Sequence, residues 1–265
     1  MKTAILIPAR YASTRYPGKP LVELTQADGS RKSLIRMSWE AAQSVDGVDE
    51  VHVLTDDDRI AEAARDFGAS VIMTSSACEN GTARCAEAVA SGAVTADIVV
   101  NLQGDAPLTP PWFITAMIAA MKTDATVQVA TPVLRCDTET YERFVEDRKN
   151  GMVGGTTAVM DRQMNGLYFS KEVLPWFNAA SLPKGAPLPV FHHVGAYAYR
   201  PAALAAYAAH GAGMLEDLEG LEQLRFLEAG VKVRCVEVEA RGRVFWELNN
   251  PHDVDRIEAA LEAQA

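Results

Sequence analysis

Three cationic side chains, Arg10, Arg15 and Lys19, stand in the stretch IPARYASTRYPGKP (residues 7–20), spread among Gly, Pro, Ser and Thr. The apolar run before it, residues 4–7, reads as a buried strand. A positive, glycine-containing loop directly after a first strand can cradle phosphates, because backbone N–H groups aim at anionic oxygens and Arg or Lys neutralises them. Composition alone is equally consistent with a solvated surface loop of scattered charge. The pattern GxxxxGK[ST] is absent, and so is GxGxxG after the first strand, so the ATPase and dinucleotide readings lose their usual support.

The elements that would position such a loop alternate along the chain. EVHVLTDD is a β-branched strand ending in an acidic loop, and DRIAEAARDFG is a helix opened by an Asp cap and closed by Gly68. ASVIMTS is a strand, TARCAEAVASG a helix, and DIVVNLQGDAP a strand running into a Gly-Asp loop. Residues 34–44 have helical apolar spacing, and PPWFITAMIAAMKT is a helix whose prolines suit its first turn. The alternation predicts a mostly parallel sheet covered by helices, with ligands outside the carboxyl ends of the strands. From about Val127 the texture changes. VQVATPVL, TTAVMDRQMNGLYFS and HVGAYAYRP read as strands with turns. LEDLEGLEQLRFLEAG reads as one amphipathic helix ended by Gly230, VKVRCVEVEA alternates with period two, and PHDVDRIEAALEAQA is a helix behind Pro251. The expected organisation is one domain over residues 1–265: a nucleotide-binding-type core over about 1–126, a mixed-sheet extension over about 127–240, and a closing segment over 241–265.

The bulk properties agree with a soluble α/β protein. The chain has 265 residues, 48% hydrophobic and 23% charged, enough for a sizeable core. Its net charge of −10 argues against a general nucleic-acid binder. No apolar stretch approaches the roughly 20 residues of a membrane helix. Lys2 precedes an apolar run that meets Pro8 and Arg10 at once, which does not read as a signal peptide. Cys78, Cys85, Cys136 and Cys235 form no CxxC pair, so free thiols in a cytoplasmic protein are expected, with Cys85 a small buried hydrophobe.

Taken whole, IPARYASTRYPGKPL closely resembles the opening of the 3-deoxy-manno-octulosonate (KDO) cytidylyltransferases, the CMP-KDO synthetases. VVNLQGDAPLTP resembles that family's strand-end signature, and MDRQMNGLYFSKEVLPW, HHVGAYAYRPAAL, LEGLEQLRFLEAG and NNPHDVDRIEAAL resemble further segments in the family's order, over about Ile5 to Leu261. The resemblance implies a nucleotide-diphospho-sugar-transferase-like, Rossmann-like three-layer α/β core with a mostly parallel mixed sheet and a smaller β-rich extension. It implies a transfer in which a sugar acid's anomeric hydroxyl attacks the α-phosphate of CTP, giving a CMP-sugar and pyrophosphate for surface polysaccharide or lipopolysaccharide biosynthesis. Mg²⁺ is the implied cofactor, CTP and an acid sugar are the implied partners, and a homodimer is the implied assembly.

Carried over residue by residue, the resemblance makes Arg10, Lys19 and Asp105 catalytic, with Arg10, Arg15 and Lys19 facing the triphosphate and the leaving pyrophosphate. Ser75, Gly81, Thr82 and Arg84 match the cytidine-contacting segment, and Ala9 and Gln103 join the bound substrates. Lys171, His193, Tyr197, Glu219 and Gln223 stand where the family contacts the sugar. Without the resemblance, Tyr197 reads as a half-buried strand residue, His193 as a satisfied polar one, and Glu219 as a solvated helix position. Asp105, otherwise a turn residue in GDAP, supplies carboxylate oxygen for the metal, with Asn249 at the second metal position. There the family's Asp becomes Asn, a weaker neutral ligand, with Glu247 two residues earlier on the same face of an extended segment. Lys171 and Asn178 stand for the family's arginines, and Lys cannot fork a carboxylate as Arg does. NGTAR stands for its Ser-Gly-Thr-Asp-Arg string, and Cys78 for a His. The resemblance thus retains the nucleotide half and alters the acid-sugar half. That leaves open a divergent KDO enzyme, a paralogue for an amino-KDO or nonulosonic acid, and a weakly active CTP-binding subunit.

Overall fold

The structure is a computed structural model that describes residues 1–263 except 13–15, 154, 179–180, 184, 244–247, 249 and 252. Strand β1 (Thr3–Pro8) is buried along its whole length. Its residues alternate between two cores. Ala4 and Leu6 face one cluster, and Ile5 and Ile7 face the other. Strands β4 (Glu50–Thr55), β5 (Ser70–Met73) and β6 (Ile98–Leu102) join it in the parallel order β5-β4-β1-β6. Between β1 and β4 the chain makes a small antiparallel hairpin, β2 (Glu23–Thr25) with β3 (Arg31–Ser33), which the sequence reading did not anticipate. Helices α1 (Leu34–Gln43), α2 (Asp58–Asp66) and α4 (Pro111–Thr123) bury Ile35, Ile60 and Met117 against one face of the sheet. Helix α3 (Gly81–Ala90) buries Cys85, Ala86 and Ala88 on the other.

The second half continues the same sheet. Strands β7 (Val129–Arg135), β8 (Thr156–Met160), β9 (Gly166–Ser170), β10 (Phe191–His193), β11 (Ala196–Tyr199) and β12 (Val233–Glu237) complete a ten-stranded mixed sheet. β11 lies antiparallel between β6 and β7, pairing Tyr197 with Asn101 and Ala198 with Ala130. β10 and β8–β9 extend the antiparallel end, while β12 runs parallel along β7 from Val233↔Val129 to Glu237↔Val133.

Two helices went unread. Helix α5 (Thr138–Lys149) is capped by Asp137 and buries only Phe144, so it carries almost no apolar stripe. The alanine-rich α6 (Pro201–Ala209) follows directly on β11 and packs against α3. The single helix expected over residues 215–230 is instead two, α7 (Met214–Glu219) and α8 (Leu224–Glu228). Gly220 breaks it by taking φ 61°, ψ 38°, a conformation that ends a helix and that glycine adopts without strain. The closing helix is α9 (Asp253–Ala263).

Gly104 sets how closely the β6 loop can approach β1. A Cβ there would lie 2.8 Å from the Pro8 carbonyl oxygen, a backbone atom with nowhere to go. Gly104→Ala should therefore lower stability by about 2 kcal/mol, the scale of a steric clash in a packed interior. Urea unfolding checks this, with the midpoint falling and the slope unchanged.

Candidate active site

The loop after β1 is closed on itself. Gly18 N–H donates to the Tyr11 carbonyl at 3.0 Å, and Gly18 takes φ 71°, with the Tyr11 ring 3.2 Å from where a Cβ would sit. That left-handed residue turns the chain into a short 3-10 helix beginning at Lys19. The Lys19 ammonium reaches Asp105 Oδ2 at 2.6 Å, and both side chains are largely buried. Asp105 is held by its own backbone: Ala106 N–H donates to Gln103 O at 3.2 Å, and Leu248 N–H donates to Asp105 O at 2.9 Å. Ser38 Oγ donates to Gly104 O at 3.1 Å, tying the same loop to α1. The strand ends of β1 and β6 thus bring a cation and a carboxylate together. Ala9 is buried and Arg10 is exposed at the mouth. Arg59, which the sequence reading did not single out, lays its guanidinium 3.3 Å from the Tyr11 ring centroid and pairs with Asp57 at 2.7 Å. Arg15, Glu247 and Asn249 lie outside the described residues.

The first turn of α3 forms the second wall. Asn80 caps it, accepting from Ala83 N–H at 2.9 Å, and donates to the Tyr207 hydroxyl at 2.7 Å. A Cβ at Gly81 would lie 3.0 Å from Gln103 Nε2 and 3.1 Å from Asn101 Nδ2, so glycine lets the helix start rest on both amides. Thr82 N–H donates to Glu222 Oε2 at 3.1 Å, and Gln103 Nε2 donates to Glu222 Oε1 at 3.2 Å. Burial pushes the Glu222 carboxyl above its ordinary range. Arg84 is turned inward, paired with Asp56 at 3.1 Å and donating to Thr74 Oγ1. Ser75 is exposed, and its N–H donates to Glu87 Oε1 at 2.7 Å.

The expected acceptor residues fall into separate groups. The Tyr197 hydroxyl donates to Gln223 Oε1 at 3.0 Å, and both residues are buried. Glu219 accepts from Ser170 Oγ at 2.7 Å, from Lys171 N–H at 2.9 Å and from the Tyr168 hydroxyl at 3.3 Å, so it fastens α7 to the end of β9. The Lys171 ammonium lies 3.0 Å from where a Gly220 Cβ would be. His193 is buried between two threonines. Thr131 Oγ1 lies 2.9 Å from Nε2 and also 2.9 Å from the Ala196 carbonyl, and Thr156 Oγ1 lies 3.2 Å from Nδ1. Burial drives His193 down to about 3. Asn178 is exposed.

Sequence reasoning missed Glu222, which links Gln103 to Thr82. It lies one residue before Gln223, inside the segment read as one continuous helix. The glycine at 220 was the one signal that the helix stops short of it.

A model of the cytidylyltransferase family matches residues 4–233, which gives the class. The chain is 40% identical to the 3-deoxy-manno-octulosonate cytidylyltransferase of Maricaulis maris strain MCS10, covering 100% of this chain and 98% of that protein. It is 36% identical to the 8-amino-3,8-dideoxy-manno-octulosonate cytidylyltransferase of Shewanella frigidimarina strain NCIMB 400, over 98% of this chain and 99% of that one. Its fold superposes with a TM-score of 0.85, at 33% identity over 100% of both chains, on the structure of CMP:2-keto-3-deoxy-manno-octonic acid synthetase complexed with CTP. The chain belongs to the 3-deoxy-manno-octulosonate cytidylyltransferase family.

A histidine held neutral by burial gives a signed pH dependence. Its folded value is below the ordinary 6.5, so the unfolded chain takes up the proton first, and stability falls as pH drops from about 6.5 toward 3. The loss is about 1 kcal/mol per pH unit in that window. Melting temperatures of the wild type and His193→Gln between pH 4 and 8 should show a flatter acid limb in the variant.

Proposed function

We propose that this enzyme transfers a cytidylyl group from CTP to the anomeric hydroxyl of KDO or a closely related 3-deoxy-ulosonic acid. The sugar oxygen forms the new bond to the α-phosphorus, the bond to the β-phosphate bridging oxygen breaks, pyrophosphate leaves, and the hydroxyl proton passes to solvent. The observation that carries this reading is the Lys19–Asp105 pair at 2.6 Å, formed by the loops that follow the adjacent parallel strands β1 and β6. It sets a cation for phosphate oxygens beside a carboxylate for a metal. Arg10 and Arg15 add positive charge to the same stretch of sequence, suited to the triphosphate and the leaving group. Such transfers depend on positioning and charge stabilisation more than on covalent work by the protein.

Mg²⁺ fits this donor set in one way. Asp105 offers a hard carboxylate oxygen, and among the described residues no group of three or more His, Cys, Asp or Glu could hold a metal. Asp105 would hold the cation, with residue 249 as the second position the resemblance implies, and a bound metal would supply charge neutralisation at the transferring phosphoryl group. Lys19 holds the Asp105 carboxylate in place, and Leu248 N–H fixes the Asp105 backbone. Gln103, braced by Glu222, orients bound substrate, and Lys171 supplies positive charge on the acceptor side. We read the protein as a cytoplasmic homodimer without nucleic-acid or membrane partners. Its acidic net charge supports the lack of a nucleic-acid partner, and the exposure of Trp176, Met214 and Leu218 in its second half supports the homodimer. An 8-amino acceptor is the second reading, favoured by the 36% identical relative of that name.

Pyrophosphate release from CTP, assayed across KDO, its 8-amino analogue and sialic-type acids, tests the function and separates the acceptors. CTP should also raise the melting temperature more than ATP or GTP, and equal stabilisation by a purine triphosphate would count against the assignment. Lys19→Ala should lower kcat by roughly 10²–10³-fold, the scale of losing one preorganised charge-stabilising group, with a melting temperature within a few degrees of wild type. Asn249→Asp adds an anionic ligand to the closing segment, so the Mg²⁺ concentration for half-maximal activity should fall and kcat should rise. An unchanged Mg²⁺ dependence would remove residue 249 from the metal site.

A further inference from the structure

A closed chain of hydrogen bonds runs behind the site. Asn101 Nδ2 donates to the Tyr199 hydroxyl at 3.5 Å, and that hydroxyl lies 2.7 Å from Thr82 Oγ1. Thr82 N–H donates to Glu222 Oε2 at 3.1 Å, and Glu222 Oε1 accepts from Gln103 Nε2 at 3.2 Å. Gln103 lies two residues beyond Asn101, where the chain began. The members come from β6, β11, the first turn of α3 and the α7–α8 connection, so the chain joins the nucleotide half to the second half at the centre of the sheet. Tyr199, Thr82 and Asn101 are each 0% exposed and touch no solvent. The Tyr199 ring packs on Tyr197 at 6.0 Å and on Phe226 at 5.7 Å, so its hydroxyl has a rigid carrier.

We propose that Tyr199 is a positioning residue whose hydroxyl, through Thr82, fixes the Glu222–Gln103 pair and so sets the register between bound nucleotide and acceptor. This inference rests on the proposed transfer reaction. Its physical basis is that removing the Tyr199 hydroxyl takes a partner from two buried groups at once, Thr82 Oγ1 and Asn101 Nδ2, where water cannot replace it. The first turn of α3 can then shift against β6. A displacement of about 1 Å at reacting groups is enough for a hundredfold loss of rate without a change in what is bound. Thr82 contributes its side chain to this chain and its N–H to Glu222, so the two residues should behave as one unit.

The test uses the full-length protein with Tyr199→Phe, Thr82→Val, the double variant and Thr82→Ser. Pyrophosphate release is measured against CTP and KDO, together with CTP-binding stoichiometry, melting temperature and amide exchange in the first turn of α3. In Tyr199→Phe, kcat should fall at least about tenfold, while both KM values and the CTP stoichiometry stay within about threefold. The melting temperature should drop by only a few degrees, and α3's first-turn amides should exchange faster. Thr82→Val should match Tyr199→Phe, the double variant should be no worse than either, and Thr82→Ser, which keeps the hydroxyl, should recover kcat. Thr82→Val carries the test alone if Tyr199→Phe does not fold. Wild-type kcat in Tyr199→Phe, additive losses in the double variant, or a kcat loss fully matched by lost CTP-binding sites would overturn the proposal. A wild type that releases no pyrophosphate with any acceptor would instead overturn the reaction itself, and the α3 exchange rates would then decide the positioning role.

Discussion

The Lys19 ammonium and the Asp105 carboxylate meet at 2.6 Å across 86 residues of chain, and the rest of the site is arranged around that meeting. Each side chain keeps part of its surface in solvent, 14% and 26%, so the charges meet at the half-buried edge of the sheet and not in its core. An ammonium and a carboxylate placed side by side there leave the loop ends with both signs of charge within one hydrogen-bond length of each other. The pair exists because β1 and β6 are neighbours and parallel, so their loops emerge at the same edge. It is brought close because residue 104 has no side chain to hold the two loops apart.

The net charge of the protein and the charge of its first loop pull in opposite directions, and the structure reconciles them. Cations near the mouth are kept in place by aromatic or acidic neighbours, as Arg59 is by Tyr11 and Asp57. Carboxylates farther in are spent on internal donors. Glu219 is taken up by a serine, a tyrosine and a backbone amide, and Glu222 by Thr82 and Gln103. Two glutamates of the second half therefore act as fasteners of backbone and side chains, their oxygens taken up by donors of the protein itself.

The buried parallel strands were legible because β-branched runs punctuated by Asp and Gly have few other uses: EVHVLTDD became Glu50–Thr55, and the residue 4–7 run became Thr3–Pro8. Lys19 and Asp105 stood out in the sequence as charged residues in loops after strands, and the structure brings their side chains together. What escaped was set by tertiary context. Helix α5 turns a mostly polar surface to solvent and shows no stripe, and α6 is so rich in alanine that it carries no face of its own. The partners of His193 and Glu222 come from strands and turns distant in sequence, which no local pattern encodes. The helix over 215–230 was misread because periodicity continued through Gly220 while the backbone did not.

The placement of β11 between β6 and β7 has a consequence for how the chain is made. Asn101 on β6 and Tyr199 on β11 are bonded neighbours although 98 residues separate them. During synthesis at roughly 5–20 residues per second, β6 therefore waits roughly 5–20 s for the strand that covers its edge. Until then the growing protein carries an unpaired, apolar strand edge, the kind of surface that recruits strands from other chains. The order of synthesis thus leaves that edge bare for an interval of which the finished sheet, with β11 in place, gives no outward sign.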